Sequence, residues 1–326
     1  MEKKKSVLAG FKWRWEYFLV ILLIAEFIIF GGLNPRFLNP FILMNSINNF
    51  IPVCIVSLFV TYVIITGGMD IQAGSIMGLT SICVGVLWQK MGVNIWLAVL
   101  LGILVGALCG LISGMLIAYA KVQPMVITLG GSFLYSGLAL VVPALAGVVA
   151  YQGITNFPPE FQEIAAGSVA GIPNQVIIFL ILLVISFILL HLTKYGRKIF
   201  LIGVNRNTAE YSGIKTARLV LSGIAASIAG ILLTSYLGTA KPDFGADLTL
   251  PIITAVVLGG TSIYGGKGNV IGTGLAALII GFMKFGLTLI GINAQYQDIP
   301  VGILLIISLI INFMINSNVF QNFKKK

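Results

Sequence analysis

The chain has 326 residues, 58% of them hydrophobic and only 9% charged, and its mean hydropathy is +1.04. A soluble domain carries about a quarter charged residues, so composition excludes one and points to a polytopic membrane protein. The net charge of +10 would suit nucleic acid, but no soluble stretch exists to form a groove, and the charges sit in loops where they answer to topology.

In chain order, Lys3, Lys4, Lys5, Lys12 and Arg14 precede an apolar run from Trp15 to Leu33. A basic head before an apolar run is also the signal-peptide pattern, but no small-x-small cleavage site follows and Asn34-Pro35 closes the segment. The expectation is an uncleaved first helix with Trp13, Trp15 and Tyr17 at its interfacial end. Further runs cover about Asn45–Thr66, Ile71–Gln89, Asn94–Tyr119, Pro124–Ala146, Gln175–Leu192, Ala217–Leu237, Leu250–Tyr264, Asn269–Ile290 and Pro300–Ile315. Each except the eighth is near the roughly 20 residues that a helix needs to cross a bilayer core. The expected fold is therefore all-α, with about ten transmembrane helices. Cys54, Cys83 and Cys109 lie inside these runs, far from any CxxC spacing, and read as small hydrophobes with no disulfide or metal site. Between the fifth and sixth runs, Gly147–Asn174 is more polar and holds Glu160, Glu163 and Pro158-Pro159.

Charge tests the count. If the N-terminus is cytoplasmic, sixteen basic residues fall inside, among them Lys121, Lys267 and Lys324 to Lys326, against Arg36, Lys90 and Lys241 outside. That asymmetry puts both ends in the cytoplasm and requires an even number of crossings.

Lys194, Arg197, Lys198, Arg206, Lys215 and Arg218 form the strongest basic interruption. Such a cluster can be a topological anchor and nothing more. Here Asn207-Thr208-Ala209-Glu210-Tyr211-Ser212-Gly213 adds a helix-capping residue, an early carboxylate and a Ser-Gly stop, so a short cytoplasmic surface helix is expected.

There is also an internal echo. Gly67-Gly68-Met69-Asp70-Ile71-Gln72-Ala73-Gly74 and Gly259-Gly260-Thr261-Ser262-Ile263-Tyr264-Gly265-Gly266 share the pattern GGxxIxxG. Glycine clusters at membrane depth serve close helix packing, or break a helix where the freed backbone faces protein or a cavity. A Gly-interrupted span in each half points to two pseudo-repeated halves and a pathway between them. The expected organisation is one transmembrane domain over 1–326, with repeats at about 45–146 and 217–315 and the basic loop at 194–217. Pathway candidates are Thr66, Gly67, Gly68, Asp70, Gln72, Gly74, Ser75, Gly259, Gly260, Thr261, Ser262 and Tyr264. Their side chains offer mostly hydroxyls and amides, which suits a small neutral hydroxylated substrate.

Over its whole length the chain resembles the ten-span permeases of ATP-driven importers for ribose and related sugars. The resemblance rests on Gly67-Gly68-Met69-Asp70 with Gly74-Ser75, on Val122-Gln123-Pro124-Met125-Val126-Ile127-Thr128-Leu129-Gly130, and on Ala255 through Gly268. Within that family it looks most like the branch importing autoinducer-2, a furanose-like signal. The particular points are Tyr119-Ala120-Lys121-Val122, Val149 to Ile154, and Ser235 to Lys241 before Asp243. The basic loop is similar to the family's coupling segment at Gly203, Asn205, Ala209, Ser212, Gly213 and Ile214. The resemblance implies a non-enzymatic subunit of the inner membrane without cofactor of its own. ATP and Mg would be used by a separate cytoplasmic ATPase that presses on Asn205, Arg206, Asn207, Ala209, Glu210, Tyr211, Ser212, Gly213 and Ile214. It also implies a second permease subunit, with a sister permease in a heterodimer, and a periplasmic or extracytoplasmic binding protein. Consistently, the sequence has no GxxxxGK[ST] phosphate loop.

The rival class is an ion-coupled secondary transporter, which needs intramembrane ionisable relays. Glu26, Asp70, Lys284 and Asp298 are the candidates, and His191 ends the sixth run. A channel would need a ring of like charges or a carbonyl filter, and neither is present.

Overall fold

The computed structural model describes residues 15–120, 122–149, 152–204 and 217–316. These residues are predominantly helical. Helices α1 (Trp15–Leu33), α2 (Pro40–Ile47), α3 (Ile51–Ile65), α4 (Ala73–Gln89), α5 (Ile95–Tyr119) and α6 (Pro124–Leu145) are followed by short α7 (Pro159–Ala166). A two-residue hairpin, Ser168–Val169 with Ile172–Pro173, leads into α8 (Asn174–Phe187), which continues as a π-turn over Ile188–Leu192. Then come α9 (Lys194–Val204), α10 (Ala217–Leu237), α11 (Thr249–Leu258), α12 (Val270–Leu289) and α13 (Asp298–Asn316).

Local sequence explains the starts. The Asn39 side chain accepts from Phe41 and Ile42 N–H with Pro40 in the first turn, and Asn94 and Asn269 cap α5 and α12 in the same manner. An Asn oxygen there satisfies donors that have no partner within the helix.

Each of the ten apolar runs contains a helix. Among the described residues, six helices are long and apolar enough to cross a membrane. α2 and α3, bent by 50°, make a seventh if taken as one span. The eighth run is not one helix: α11 has ten residues, about 15 Å at 1.5 Å per residue, half a bilayer core of about 30 Å.

The core is built around α3, all fifteen of whose residues are buried, with α8, α10, α11 and α12 packed on it. A helix apolar on every side belongs in such a position. The outer helices instead present large side chains outward, such as Ile21, Ile24 and Ile28 of α1 and Leu100, Leu104 and Leu108 of α5. Without a hydrophobic drive between helices in lipid, close packing falls to small residues. On the inward face of α5 stand Gly102, Gly106, Gly110 and Gly114. A Cβ on Gly110 would come 2.2 Å from Leu219 O of α10, and one on Gly106 would come 2.5 Å from Gly223 O.

Between α10 and α11, residues 238–248 run irregularly along α4. The Ala240 side chain lies against Gly85, and backbone lies against Gly78 at Pro242 and Gly74 at Gly245. Non-helical backbone at membrane depth is tolerated where protein surrounds it.

Candidate functional site: two glycine links joined at the end of α3

The first link, residues 66–72, begins with a helix stop. Gly67 N–H donates to Ile64 O (2.8 Å) and Gly68 N–H to Val63 O (3.2 Å), with Gly67 at φ 72°. In the second link, residues 259–269, Gly260 N–H donates to Val257 O (3.0 Å) and Thr261 N–H to Val256 O (3.2 Å), with Gly260 at φ 93°. Both are Schellman caps, which place a left-handed glycine just past the helix. Gly67 therefore corresponds to Gly260, one residue out of step with the GGxxIxxG echo. The links also differ in length, because α4 begins at Ala73 whereas α12 waits until Val270.

The links meet. Ile65 O, in the last turn of α3 where carbonyls lack helical partners, accepts from Gly266 N–H at 2.7 Å. Gly203 near the end of α9 fits against the same point: a Cβ there would lie 2.0 Å from Ile65 O and 2.3 Å from Gly266 N. One on Gly265 would lie 2.9 Å from both Gly203 O and Ile65 O. Three stretches of backbone touch with no room for a side chain.

The other end of the first link is held by side chains. Asp70, 1% exposed, accepts from Gln72 N–H (3.2 Å) and from Ser222 Oγ of α10 (2.5 Å). Gln72 Oε1 accepts from Ser113 of α5 (2.7 Å), and Ser113 reaches the Tyr135 hydroxyl of α6 (3.1 Å). Thr128 donates to Met69 O (2.9 Å).

Among the sequence-derived pathway residues, Thr66, Asp70, Gln72, Thr261 and Ser262 are buried. Thr66 bonds back to Val63 O, Gly74 packs on Gly245, Gly259 on Thr273, and Gly260 on the Trp15 indole. Ser75 is half-buried, with its hydroxyl bonded to Ser132 (3.1 Å) and Ser136 (2.9 Å) of α6. Tyr264 is 67% exposed. Sequence reasoning missed Ser113, Tyr135, Ser132, Ser136 and Ser222. The four-residue spacing of Thr128, Ser132 and Ser136 along α6 was a readable signal for part of that seam.

The coupling candidates Asn205, Arg206, Asn207, Ala209, Glu210, Tyr211, Ser212, Gly213 and Ile214, with the short helix expected there, lie outside the described residues. Just before them, α9 is an amphipathic helix that the sequence reading did not assign. Gly196, Ile199 and Ile202 are buried, while Lys194, Arg197 and Lys198 are exposed. Tyr195 approaches Tyr62 with ring centroids 6.4 Å apart, and burial pushes its phenol above the ordinary range.

Residues 42–309 match a family profile described as the permease component of branched-chain amino acid transport systems. The chain belongs to that permease family. The permease is similar to the autoinducer 2 import system permease proteins LsrD of Escherichia coli K12, Escherichia coli O157:H7 and Shigella flexneri. Each is 45% identical to it over 301 residues, covering 91% of either chain. No solved structure matches it.

The relay candidates of the permease do not form a file. Lys284 and Asp298 pair with each other at 2.7 Å. Glu26 is buried in α1, which packs along α12, and its carboxylate oxygens have no hydrogen-bond partner among the described residues. Asp70 is held by Ser222 in another part of the molecule. Among the described residues no group of His, Cys, Asp and Glu could hold a metal ion.

Proposed function

We propose that the permease is the transmembrane subunit of an ATP-driven importer carrying autoinducer-2, or a related small furanose, into the cytoplasm. The observation that carries this reading is the 45% identity to autoinducer-2 permeases across 91% of the chain. At that level of identity the sequence follows theirs through nearly the whole fold, not merely through a shared motif. The system would comprise a sister permease in a heterodimer, an extracytoplasmic binding protein and a cytoplasmic ATPase using ATP and Mg. The permease would cross the membrane ten times with both termini in the cytoplasm. Segment 205–216 would receive the ATPase, and the two links would border the path. Lys284 and Asp298 engage each other, which weakens the case for an ion-coupled carrier, since such a carrier needs available relays.

The test is uptake of labelled autoinducer-2 into proteoliposomes holding the whole assembly, with ATP inside and ion gradients collapsed by an ionophore. Uptake should depend on ATP and the binding protein, and a large excess of leucine or ribose should leave it within about twofold. Stronger competition by leucine would move the substrate to the branched-chain amino acids of the family's description, and by ribose to a pentose. Uptake that ceases with the ionophore would overturn ATP drive.

A further inference from the structure

Residues 205–216 join α9 to α10, and the two helices hold neighbouring parts of one stretch, α9 the last turn of α3 and α10 the first glycine link that follows it. On the α9 side the grip is steric. Gly203 is pressed so closely on Ile65 O that a methyl group there would overlap it, at 2.0 Å. The hydrogen bond from Gly266 to that same carbonyl draws the second link into the junction. On the α10 side the grip is a hydrogen bond, from Ser222 Oγ to Asp70 Oδ2 at 2.5 Å. Ser222 lies in the second turn of α10, with no exposed surface.

Two features argue that the second contact is more than packing. A carboxylate buried inside the protein carries a solvation penalty that a neutral side chain would avoid. Yet Asp70 is used with one oxygen on its own link and the other on a different helix. Hydrogen bonds to a carboxylate are shorter and stronger than neutral ones, so this bond resists being pulled apart when α10 moves. The junction of α9 is similarly stiff, being backbone on backbone without a deformable side chain between.

We propose that the stretch running from the last turn of α3 into the first link is held at two points, by Gly203 of α9 at Ile65 and by Ser222 of α10 at Asp70, so that displacement of the α9–α10 connection is delivered to that stretch as a unit. Asp70 and Ser222, both buried, are positioning residues for transport that act through the link. The inference rests on the reading that the α9–α10 connection receives the push of an ATPase. It adds where that push goes within the chain.

The decisive variant is Ser222→Ala, which removes one hydroxyl from a helix that accommodates Ala well. In the complete assembly in proteoliposomes, the readout is substrate taken up per ATP hydrolysed, beside the amount of assembled complex and its melting temperature. Expected is normal assembly, hydrolysis within about twofold of the unmodified complex, and uptake per ATP reduced about tenfold, inside the range of coupling between distant sites. Asp70→Asn combined with Ser222→Ala should lower uptake no further than the larger single effect, because the two act through one contact. If Asp70→Asn fails to accumulate, Ser222→Ala alone decides. Uptake and hydrolysis falling in proportion, or an unchanged ratio, overturns the two-point grip, as does a fall explained by lost complex. Failure of the underlying reading looks different. The unmodified assembly would then take up substrate without ATP, before any variant is made.

Discussion

At the residue scale, glycine here acts mostly through its size. Along the small-residue face of α5, Gly106 and Gly110 let α10 approach until backbone nearly meets backbone, while Gly102 receives Val84 and Thr80 of α4. Gly110→Val should therefore destabilise the permease strongly. The added side chain meets Leu219 O, which belongs to a helix backbone and has no rotamer through which to yield. Overpacking in a dense core costs about 1–3 kcal/mol, occasionally more. Thermal unfolding of the purified permease in detergent should show a clearly lowered midpoint, together with less protein in the membrane. Gly137→Val is the control, since a Cβ there meets nothing within 4 Å. Equal midpoints for the two variants would remove close approach as the reason for the glycine. This packing face was legible in the sequence, because a period of four in small residues survives where a hydropathy period does not. Lipid-facing and buried sides are both apolar in such a helix, so hydropathy located the spans but said nothing of which side faces inward. The partners of Asp70 and Gln72 were illegible for another reason. Ser222 lies 152 residues from Asp70, and a single serine in an apolar run carries no sign of what it will meet.

At the scale of elements, the two links show how far an internal echo can be trusted. GGxxIxxG aligned Gly67 with Gly259 and Gly68 with Gly260. The folded backbone aligns Gly67 with Gly260, because what repeats is a helix stop and not a string of letters. The stop needs one glycine at positive φ, and a second glycine beside it is free to serve packing. In the first link that second glycine is Gly68, where a Cβ would meet Val63 and Pro124 at 3.3 to 3.5 Å, close but tolerable. Gly67→Ala should thus cost about 1 kcal/mol for the left-handed backbone, and Gly68→Ala clearly less. Unfolding midpoints of the two variants rank them directly, and the reverse order would mean that the echo, not the cap, gives the true equivalence. Helix α9 is a second lesson at this scale. Its burial repeats at Gly196, Ile199 and Ile202, a helical period that the six basic residues of the surrounding stretch mask in a hydropathy profile.

At the scale of the whole molecule, the question is which end of the bundle faces the cytoplasm. Helix α7 is tied to the far end of α10, where Ser235 Oγ donates to Phe161 O at 2.5 Å. Helix α9 sits with the links near the start of α10, where Asp70 meets Ser222. Ser222 and Ser235 are separated by about 20 Å of helix at 1.5 Å per residue, so α7 and α9 lie toward opposite ends. Sequence agrees, because only one span, Asn174–Leu192, separates them. Exposed Lys194, Arg197 and Lys198 on α9, against no Lys or Arg on α7, are what the positive-inside rule expects of the proposed orientation with α9 on the cytoplasmic side. A cysteine at Glu160 should then react with a membrane-impermeant maleimide on intact cells, and one at Lys198 only after the membrane is opened. Both positions are exposed, whereas native Cys54 and Cys109 are buried and Cys83 is partly so, which keeps background labelling low. Labelling of Lys198→Cys on intact cells with Glu160→Cys silent would invert the permease and move the proposed ATPase contact to the wrong side. Labelling of both from one side would require that Asn174–Leu192 does not cross, and the ten-span arrangement would fall with it.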